Sequence, residues 1–390
     1  MSELNASNLR KEHGNEGPDL VGVTELTSPY FMVPPSGTTA ERPENPQPGT
    51  LRFNTDIGSL EYFKGDTLGW ESIDRVSPNL GGGTGSNTGF GVRGLHMGGF
   101  LSPGQSDVID YITISTLGNA QDFGNLLAGN RVQGGCASRT RGISAGGYTG
   151  SISDVIQYVT ISSTGDALDF GDLTLERYNN AGLSNQTRGI FAAGEGAPNS
   201  WINIVDYITI ASTGDAKDFG DIPNQNGQLG QNNGVSSPTR GITAGGYVSP
   251  GAYVNIIGYV TISTTGDFAD FGDLNSQRSR CGGIHNATRG IFTGGFEPAT
   301  TNTIDYITMS TLGNAVDFGD QLYGAASLAC CSSSTRGTGA GGYNQSTAPT
   351  YIIDTIGYLE IATTGNMTDF GDLSVTRGQA RGISNGHGGL

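Results

Sequence analysis

The carboxylates of this chain recur at a spacing that raises the chemistry of a hard cation. Asp166, Asp169 and Asp172 lie three residues apart, and the same spacing returns at Asp215 to Asp221 and at Asp267 to Asp273. Calcium prefers oxygen ligands of this kind. Side chains three apart on a strand point to opposite faces, so the carboxylates converge only if the strand is broken. We therefore predict no metal and no cofactor, with calcium as the alternative.

Other motifs imitate catalytic sites. Asp-Phe-Gly, the magnesium-binding triplet of protein kinases, occurs six times, but no His-Arg-Asp catalytic loop accompanies it. Gly89 to Gly94 fits the dinucleotide-binding glycine pattern, yet no helix pattern follows it. The histidines are dispersed without metal-ligand spacing: His13, His96, His285 and His387. Because no segment gathers an acid, a base and a nucleophile, we predict that the protein is not an enzyme.

Composition limits the partners. A formal net charge of −16 argues against a surface that neutralises phosphates, so we predict no nucleic acid partner. Residues 1–20 contain no apolar run long enough for a signal peptide or a membrane span, so we expect no membrane insertion. The cysteines show no metal-ligand spacing and are interpreted as free, buried side chains: Cys136, Cys281, Cys330 and Cys331.

An internal repeat must position whatever chemistry the chain has. An Arg-Gly pair begins each of six units, at intervals of 47 to 52 residues, at Arg93, Arg141, Arg188, Arg240, Arg289 and Arg336. In five units a Gly-Gly pair follows the arginine, and the third unit has Ala193-Gly194 there. A tyrosine then opens a β-rich run, twelve residues before the phenylalanine of Asp-Phe-Gly. Between these two aromatic residues lies Gly-Asp or Gly-Asn, which favours a tight β-turn.

These units predict an all-β fold, a six-bladed β-propeller over residues 91–390. Each unit of four short antiparallel strands is apolar on both faces and buries them against neighbours in a ring. The final segment, Arg377 to Gly388, resembles the first strand of a unit and has no following copy. We expect it to complete the sheet begun at Arg93, although Gly83 to Phe90 competes for the same place.

The repeated charges and the irregular aromatic residues supply the candidate sites. We predict that the arginines Arg141, Arg188, Arg240, Arg289 and Arg336 are structural and pair with the triplet carboxylates Asp122, Asp169, Asp218, Asp270, Asp317 and Asp369. The loops that break the repeat carry Trp201, Tyr253 and Tyr351. Aromatic rings of this kind suit stacking on sugars, so they are the candidate ligand-binding residues, and packing of the loops is the alternative.

The N-terminal part differs in composition. Residues 1–46 lack periodicity, and prolines lie in or beside them at Pro34, Pro35, Pro43, Pro46 and Pro48, which predicts an extended arm or linker. Residues 47–76 predict a three-stranded β-meander, and residues 77–90 a glycine-rich hinge. A meander this small cannot bury a core alone, so it is interpreted as an attachment module.

Two resemblances add context. The order Gly-Gly, tyrosine, aromatic strand and arginine over residues 91–390 is similar to kelch repeats, with phenylalanine where kelch blades have tryptophan. Residues 48–63, read as Pro-Gly-Thr-Leu-Arg-Phe-Asn-Thr-Asp-Ile-Gly-Ser-Leu-Glu-Tyr-Phe and followed by Trp70, resemble a short module of structural and tail-fibre proteins of tailed bacteriophages, especially those of marine cyanobacteria.

The second resemblance implies a virion protein, assembled in the host cytoplasm and oligomeric in the particle. Residues 1–76 would anchor it to other virion proteins, as a tail fibre, an appendage or a capsid-decorating protein. The propeller would then bind a partner or a host-surface glycan. The alternatives are a propeller enzyme acting on carbohydrate, of the oxidase or lyase class, and a cement protein without a ligand.

Overall fold

A computed structural model describes residues 34–56, 59–67, 69–72, 92–197, 200–223, 234–248, 251–346 and 351–390. It divides the chain into two compact units, Met1–Ser77 and Pro78–Leu390. The hinge expected at residues 77–90 lies outside the described residues, as do residues 1–33 of the expected arm. Residues 224–233, a segment rich in Asn and Gln, lie outside them as well.

The first unit contains one small sheet. Its elements are β1 (Ser36–Gly37), a 3-10 helix (Thr39–Glu41), β2 (Leu51–Asn54), β3 (Ser59–Phe63) and β4 (Trp70–Ser72). The three strands expected in the meander are confirmed as β2, β3 and β4, which pair antiparallel in that order. Strand β1 was not predicted, and it pairs parallel with β2 through Ser36 and Phe53.

A buried carboxylate organises this sheet. Glu61 on β3 is fully buried and forms an ion pair with the half-buried Arg42 and another, at 3.5 Å, with Arg52. Asn54 Nδ2 donates to the same carboxylate. The hydrogen bond from Arg42 lowers the pKa of Glu61 below its usual range. A charged cluster around Glu61 thus supplements the small apolar core of this unit.

The second unit contains six four-stranded antiparallel sheets in its described residues, numbered here along the chain. Sheet 1 has β5 (Arg93–Met97), β8 (Val108–Thr113) and β9 (Gln121–Asn125), with the hairpin β6 (Phe100–Leu101) and β7 (Gly104–Gln105) between them. Sheet 2 has β10 (Gly134–Ala137), β11 (Arg141–Tyr148), β12 (Ile152–Thr160) and β13 (Leu168–Asp172). Sheet 3 has β14 (Ala181–Ser184), β15 (Arg188–Ala192), β18 (Ile204–Thr209) and β19 (Lys217–Asp221), with the hairpin β16 (Glu195–Gly196) and β17 (Ser200–Trp201).

The later sheets repeat this order. Sheet 4 has β20 (Gly234–Ser236), β21 (Arg240–Val248), β22 (Ala252–Thr261) and β23 (Ala269–Asp273). Sheet 5 has β24 (Gly282–His285), β25 (Arg289–Thr293), β26 (Thr303–Thr308) and β27 (Val316–Asp320). Sheet 6 has β28 (Ala329–Ser332), β29 (Arg336–Ala340), β30 (Thr355–Glu360) and β31 (Thr368–Asp372). The last strand, β32 (Arg381–Ser384), pairs with β5 and completes sheet 1, as expected from the sequence.

Neighbouring sheets pack face to face through apolar side chains. Six buried clusters lie between sheets 1 and 2, 2 and 3, 3 and 4, 4 and 5, 5 and 6, and 6 and 1. Each phenylalanine of Asp-Phe-Gly is buried in one of them, and each packs edge-on against the tyrosine of its own sheet, as in Phe170 with Tyr158 at 5.9 Å. The arrangement of the sheets is therefore propeller-like.

The turn between tyrosine and phenylalanine joins one sheet to the next. Gly165 N in sheet 2 donates to Phe123 O in sheet 1 at 2.8 Å, and Asp166 Oδ1 accepts from Asn125 N at 2.9 Å. Equivalent bonds occur at every later junction, including Gly118 N to Phe370 O at 3.0 Å. The recurring Gly-Asp and Gly-Asn pairs therefore connect sheets as well as turning the chain.

Candidate ligand-binding face

The recurring arginines contact groups other than the triplet carboxylates predicted as their partners. Arg141 lies over the Tyr158 ring at 4.6 Å and donates through Nη1 to Ile210 O of the next sheet at 3.0 Å. The same two contacts are made by Arg188, Arg240 and Arg289, while Arg336 also forms an ion pair with Glu360. Among the described residues no ion pair joins these arginines to Asp122, Asp169, Asp218, Asp270, Asp317 or Asp369.

Strand order explains the error. Arg141 is opposite Thr160 across β11 and β12, whereas Asp169 is opposite Gln157 across β12 and β13. The tyrosine strand therefore separates the arginine from the triplet carboxylate by two strand spacings, about 10 Å. All six triplet carboxylates are exposed on the outermost strands, where water solvates them.

Three other ion pairs are fully buried, and they occur at every second junction between neighbouring sheets. They are Arg177 with Asp206 at 2.7 Å, Arg278 with Asp305 at 3.0 Å, and Arg377 with Asp110 at 2.9 Å. Each arginine follows an even-numbered sheet, and each aspartate precedes the tyrosine of the next odd-numbered sheet. The sequence carries this signal, because aspartate stands before the tyrosine in units 1, 3 and 5, and arginine stands seven residues after the triplet phenylalanine in units 2, 4 and 6. Sequence reasoning missed it.

Two of the aspartates whose spacing suggested calcium accept hydrogen bonds within the fold. Asp166 and Asp215 accept hydrogen bonds from backbone amides of the preceding sheet, at 2.9 Å to Asn125 N and 3.1 Å to Asp172 N. Burial, together with Asp154, Asp215 and Asp169 nearby, raises the pKa of Asp172. Within the described residues no group of three or more acidic, histidine or cysteine side chains is placed to hold a metal ion.

The candidate ligand-binding residues lie in the loops after the Gly-Gly pairs. Trp201 and Tyr253 belong to one row of half-buried rings. Successive ring centroids are 5.9 Å apart from Trp201 to Tyr247, 5.2 Å from Tyr247 to Tyr253 and 6.2 Å from Tyr253 to Phe296. Arg280 lies over the Phe296 ring at 5.5 Å. The row runs from sheet 3 across sheet 4 to sheet 5, so it crosses the ends of three sheets.

Tyr351 is not part of that row. It packs against Tyr343 in sheet 6 with ring centroids 5.7 Å apart, and it is 38% exposed. A third group lies in sheets 1 and 2, where Arg131 is 5.2 Å from the Phe100 ring and 5.0 Å from the Tyr148 ring. The structure thus brings Trp201 and Tyr253 together and separates Tyr351 from them.

The rings that sequence reasoning missed have a simple signal. In five units an aromatic residue directly follows the Gly-Gly pair, at Phe100, Tyr148, Tyr247, Phe296 and Tyr343, and the third unit has Glu195 there. Both glycines of each pair have positive φ, as at Gly245 (68°) and Gly246 (128°). A Cβ at Gly245 would lie 2.2 Å from Arg278 O, so glycine is required where the chain turns to present the ring.

A cavity opens beside these loops. It is lined by residues that precede or begin the first strands of sheets 1, 2, 3, 5 and 6, and we call it the central cavity. Five lining residues have left-handed backbone, with φ of 54° to 61°: Val132, Asn179, Arg280, Ser327 and Gln379. The cavity has a volume of about 40 Å³. Arg280 joins it to the aromatic row, and Arg131 Nη1 donates to Gln379 Oε1 at 3.3 Å on its border.

A second cavity of the same size, the tail cavity, lies among the first strands and is lined by His285 and His387. His387 Nε2 donates to Ala137 O at 2.9 Å, and its Nδ1 accepts from Gly389 N at 3.1 Å. The two imidazole rings are 5.1 Å apart. Burial lowers the pKa of His285 to about 3 and that of His387 to about 4, so both rings are neutral near pH 7.

The four cysteines are free and buried, as predicted. Burial raises the pKa of the Cys136 and Cys330 thiols to about 12, so both are uncharged thiols at neutral pH. They line the tail cavity beside Arg381. The described part of the chain contains no helix with the length and apolar character of a membrane span.

No protein-family model matches this chain, and no curated protein matches it either.

Proposed function

We propose that residues 92–390 form a closed six-bladed β-propeller in a non-enzymatic virion protein, and that its aromatic row binds a host-surface glycan. Contacts between first strands support the closed ring: β10 contacts β14, β14 contacts β20, β20 contacts β24, β24 contacts β28, β28 contacts β32, and β32 contacts β10. The turn-to-strand hydrogen bonds on the outside follow the same circle.

The aromatic row is the observation that carries the binding function. Trp201, Tyr247, Tyr253 and Phe296 are all half-buried, so each presents part of a ring while its body is held by packing. Rings held in this way lose little side-chain entropy when a flat, partly apolar surface such as a sugar ring stacks on them. Their spacing of 5.2 to 6.2 Å suits neighbouring sugar units of one chain.

The virion context rests on the N-terminal module. Residues 48–63 and Trp70 carry the resemblance to tailed-phage structural proteins, and they form strands β2, β3 and β4. In this proposal residues 1–76 attach the chain to other virion proteins, and the propeller is presented to the host surface. Assembly takes place in the host cytoplasm, and several copies of the chain are present in the particle.

A glycan array tests the binding function directly. The full-length wild-type protein should give saturable signals on a subset of host-surface glycans, and Trp201→Ala and Tyr253→Ala should each reduce them by about tenfold or more, because stacking on each ring is lost. Leu168→Ala is the matched control, since Leu168 is 57% exposed but lies on an outer strand away from the row. Equal binding by all four proteins would remove the aromatic row as the glycan site.

A further inference from the structure

Arg381 is a buried cation without an anionic partner. It begins β32, is 6% exposed and lines both the central cavity and the tail cavity. Its one hydrogen bond among the described residues is a long one, from Nη2 to Gly135 O at 3.5 Å. No described carboxylate forms an ion pair with it. The three buried arginines of the alternating ion pairs each have an aspartate, so Arg381 is an exception within the same fold.

The neighbours of Arg381 do not neutralise it. Cys136 and Cys330 are the groups that interact with it electrostatically, and both are uncharged thiols at neutral pH. Burial lowers the pKa of Arg381 to about 10, which still leaves the guanidinium protonated. An unpaired charge is costly inside a protein unless a counter-ion or a polar ligand reaches it.

The central cavity offers further groups to a ligand. A second arginine, Arg280, lines it, and the described lining residues include no acidic residue although the chain carries a net charge of −16. Gln133 Oε1 and Asn180 Oδ1 are buried acceptors without a hydrogen-bond partner. Their amide nitrogens already donate to backbone carbonyls, Gln133 Nε2 to Met97 O at 2.8 Å and Asn180 Nδ2 to Ala145 O at 3.4 Å. The oxygens therefore need a donor from outside the protein.

We propose that the central cavity is an oxyanion site, in which Arg381 and Arg280 bind the carboxylate or sulfate group of an acidic glycan. The unsatisfied amide oxygens accept hydrogen bonds from water in the cavity. This proposal rests on the proposed glycan-binding function and narrows it to acidic sugars. Space for about three waters admits one oxyanion group but not a sugar ring, so the ring stays outside, towards the aromatic row.

Calorimetry and thermal unfolding with small probes test the site on the full-length protein. Sodium glucuronate should bind saturably and raise the melting temperature, while glucose at the same concentration should not. Sodium sulfate should also bind saturably, and it is compared with sodium chloride at equal ionic strength because sulfate stabilises proteins non-specifically. Binding of sulfate without glucuronate would assign the cavity to inorganic anions and overturn the acidic-glycan proposal, as would equal binding of glucose and glucuronate.

Arg381→Met removes the cation and retains an apolar side chain of similar length. We expect it to weaken glucuronate and sulfate binding by about tenfold or more, and to raise the melting temperature of the ligand-free protein because an unpaired buried charge is gone. Arg139→Met, at an exposed position, is the matched control for the change in net charge. A lower melting temperature with unchanged binding would make Arg381 a purely structural residue.

If Arg381→Met does not fold, Arg280→Met replaces it, since Arg280 is only half-buried. This variant should fold and should bind glucuronate and sulfate more weakly. Unchanged affinity for both anions would overturn the proposed site. These probes are small molecules measured without an array. If neither probe binds, only the oxyanion site is disproved. If glucuronate binds but the glycan array gives no signals, the wider glycan-binding function is disproved.

Discussion

At the scale of single residues, the buried charges of the second unit divide by whether they have partners. Arg177 and Asp206 are both fully buried, and Thr174 adds hydrogen bonds to the carboxylate through its backbone N and its Oγ1, at 3.0 and 2.7 Å. Asn275 and Ser374 repeat this contact at Asp305 and Asp110. In each pair the carboxylate is held by the arginine and by these hydrogen bonds between two sheets, so removing one member leaves the other charge uncompensated.

Asp206→Asn should therefore destabilise the protein strongly. We expect a loss of ~3–5 kcal/mol in the free energy of unfolding, because the charged Arg177 guanidinium stays buried without an anionic partner. Asp218→Asn, at an exposed triplet position, should change stability by less than about 0.5 kcal/mol. Urea denaturation of the two variants measures both values. A similar loss in both would show that the buried pair has no special role.

The two histidines of the tail cavity predict a dependence of stability on pH. The folded-state pKa values of about 3 for His285 and about 4 for His387 lie below the unfolded value of about 6.5. As the pH falls below about 6.5, the unfolded chain binds protons that the folded chain does not. Stability is therefore present above pH 6.5 and falls towards pH 4, by up to ~1.4 kcal/mol per pH unit for each histidine.

His387→Gln should reduce this dependence, because one of the three buried histidines with a lowered pKa is absent; the third is His96, whose pKa burial lowers to about 3. Denaturation at pH 7, 6 and 5 should show a smaller decrease for the variant than for the wild type. His13→Gln, outside the second unit, serves as the control and should keep the wild-type slope. Parallel slopes for wild type and His387→Gln would contradict the assignment of the pH dependence to this ring.

At the scale of elements, the glycine of Asp-Phe-Gly explains why the triplet recurs. Gly171 has a φ of 143°, and a Cβ there would lie 2.5 Å from Gly214 C and 2.6 Å from Gly214 O of the next sheet. The equivalent glycines of the other five sheets meet the turn of the next sheet in the same way. The triplet is thus a joint between sheets, where the phenylalanine fills the core and the glycine lets the next turn approach.

Gly171→Ala should weaken this joint in two ways. The side chain disfavours the positive φ, at ~1–3 kcal/mol, and the added carbon meets the backbone of Gly214. Gly104→Ala is the control, because nothing lies within 4 Å of the added carbon there. We expect a clear drop in melting temperature for the first variant and little change for the second. Equal melting temperatures would mean that the sheets separate to admit the methyl group without cost.

At the scale of the whole chain, the last strand completes the first sheet of the second unit. Strand β32 pairs with β5 through four residues, from Arg381 with Met97 to Ser384 with Gly94. It also lies beside β10 and β28, the first strands of sheets 2 and 6. Residues from the two ends of the second unit therefore share one sheet, and loss of either end exposes a strand edge.

Truncation after residue 380 should abolish the folded second unit, since it leaves β5 with an unpaired edge and opens the packing on both sides. Truncation after residue 387 removes only the last three residues and should leave a soluble protein. Circular dichroism and size-exclusion chromatography distinguish the two. If the chain that ends at residue 380 were still monomeric and folded cooperatively, the second unit would not need β32 to complete its first sheet.

We expect the N-terminal unit to be needed for assembly but not for folding of the second unit. Deleting residues 1–76 should leave a soluble second unit with its own cooperative unfolding transition, because the chain divides into two compact units after Ser77. In the phage context the truncated chain should no longer enter particles. Incorporation at the wild-type copy number would place the attachment surface on the propeller.

What the sequence by itself determined is local. Six copies of Arg-Gly, tyrosine and Asp-Phe-Gly at nearly constant spacing specify four strands and a tight turn per unit, because strand and turn preferences act within a few residues. The three strands of the meander follow from the same rules. The pairing of the last segment with the strand that begins at Arg93 was also predictable, since this sixth first-strand pattern has no copy after it.

Only the tertiary structure decided which repeats touch. The partner of the recurring arginines is a tyrosine ring and a carbonyl of the next sheet, because an intervening strand keeps the triplet carboxylate away. The pair Arg377 and Asp110 joins residues 267 positions apart, and the alternating sequence pattern that contains both residues does not show which two of them meet. The aromatic row and the unpaired Arg381 arise in the same way, since side chains from different sheets meet only after the sheets have packed.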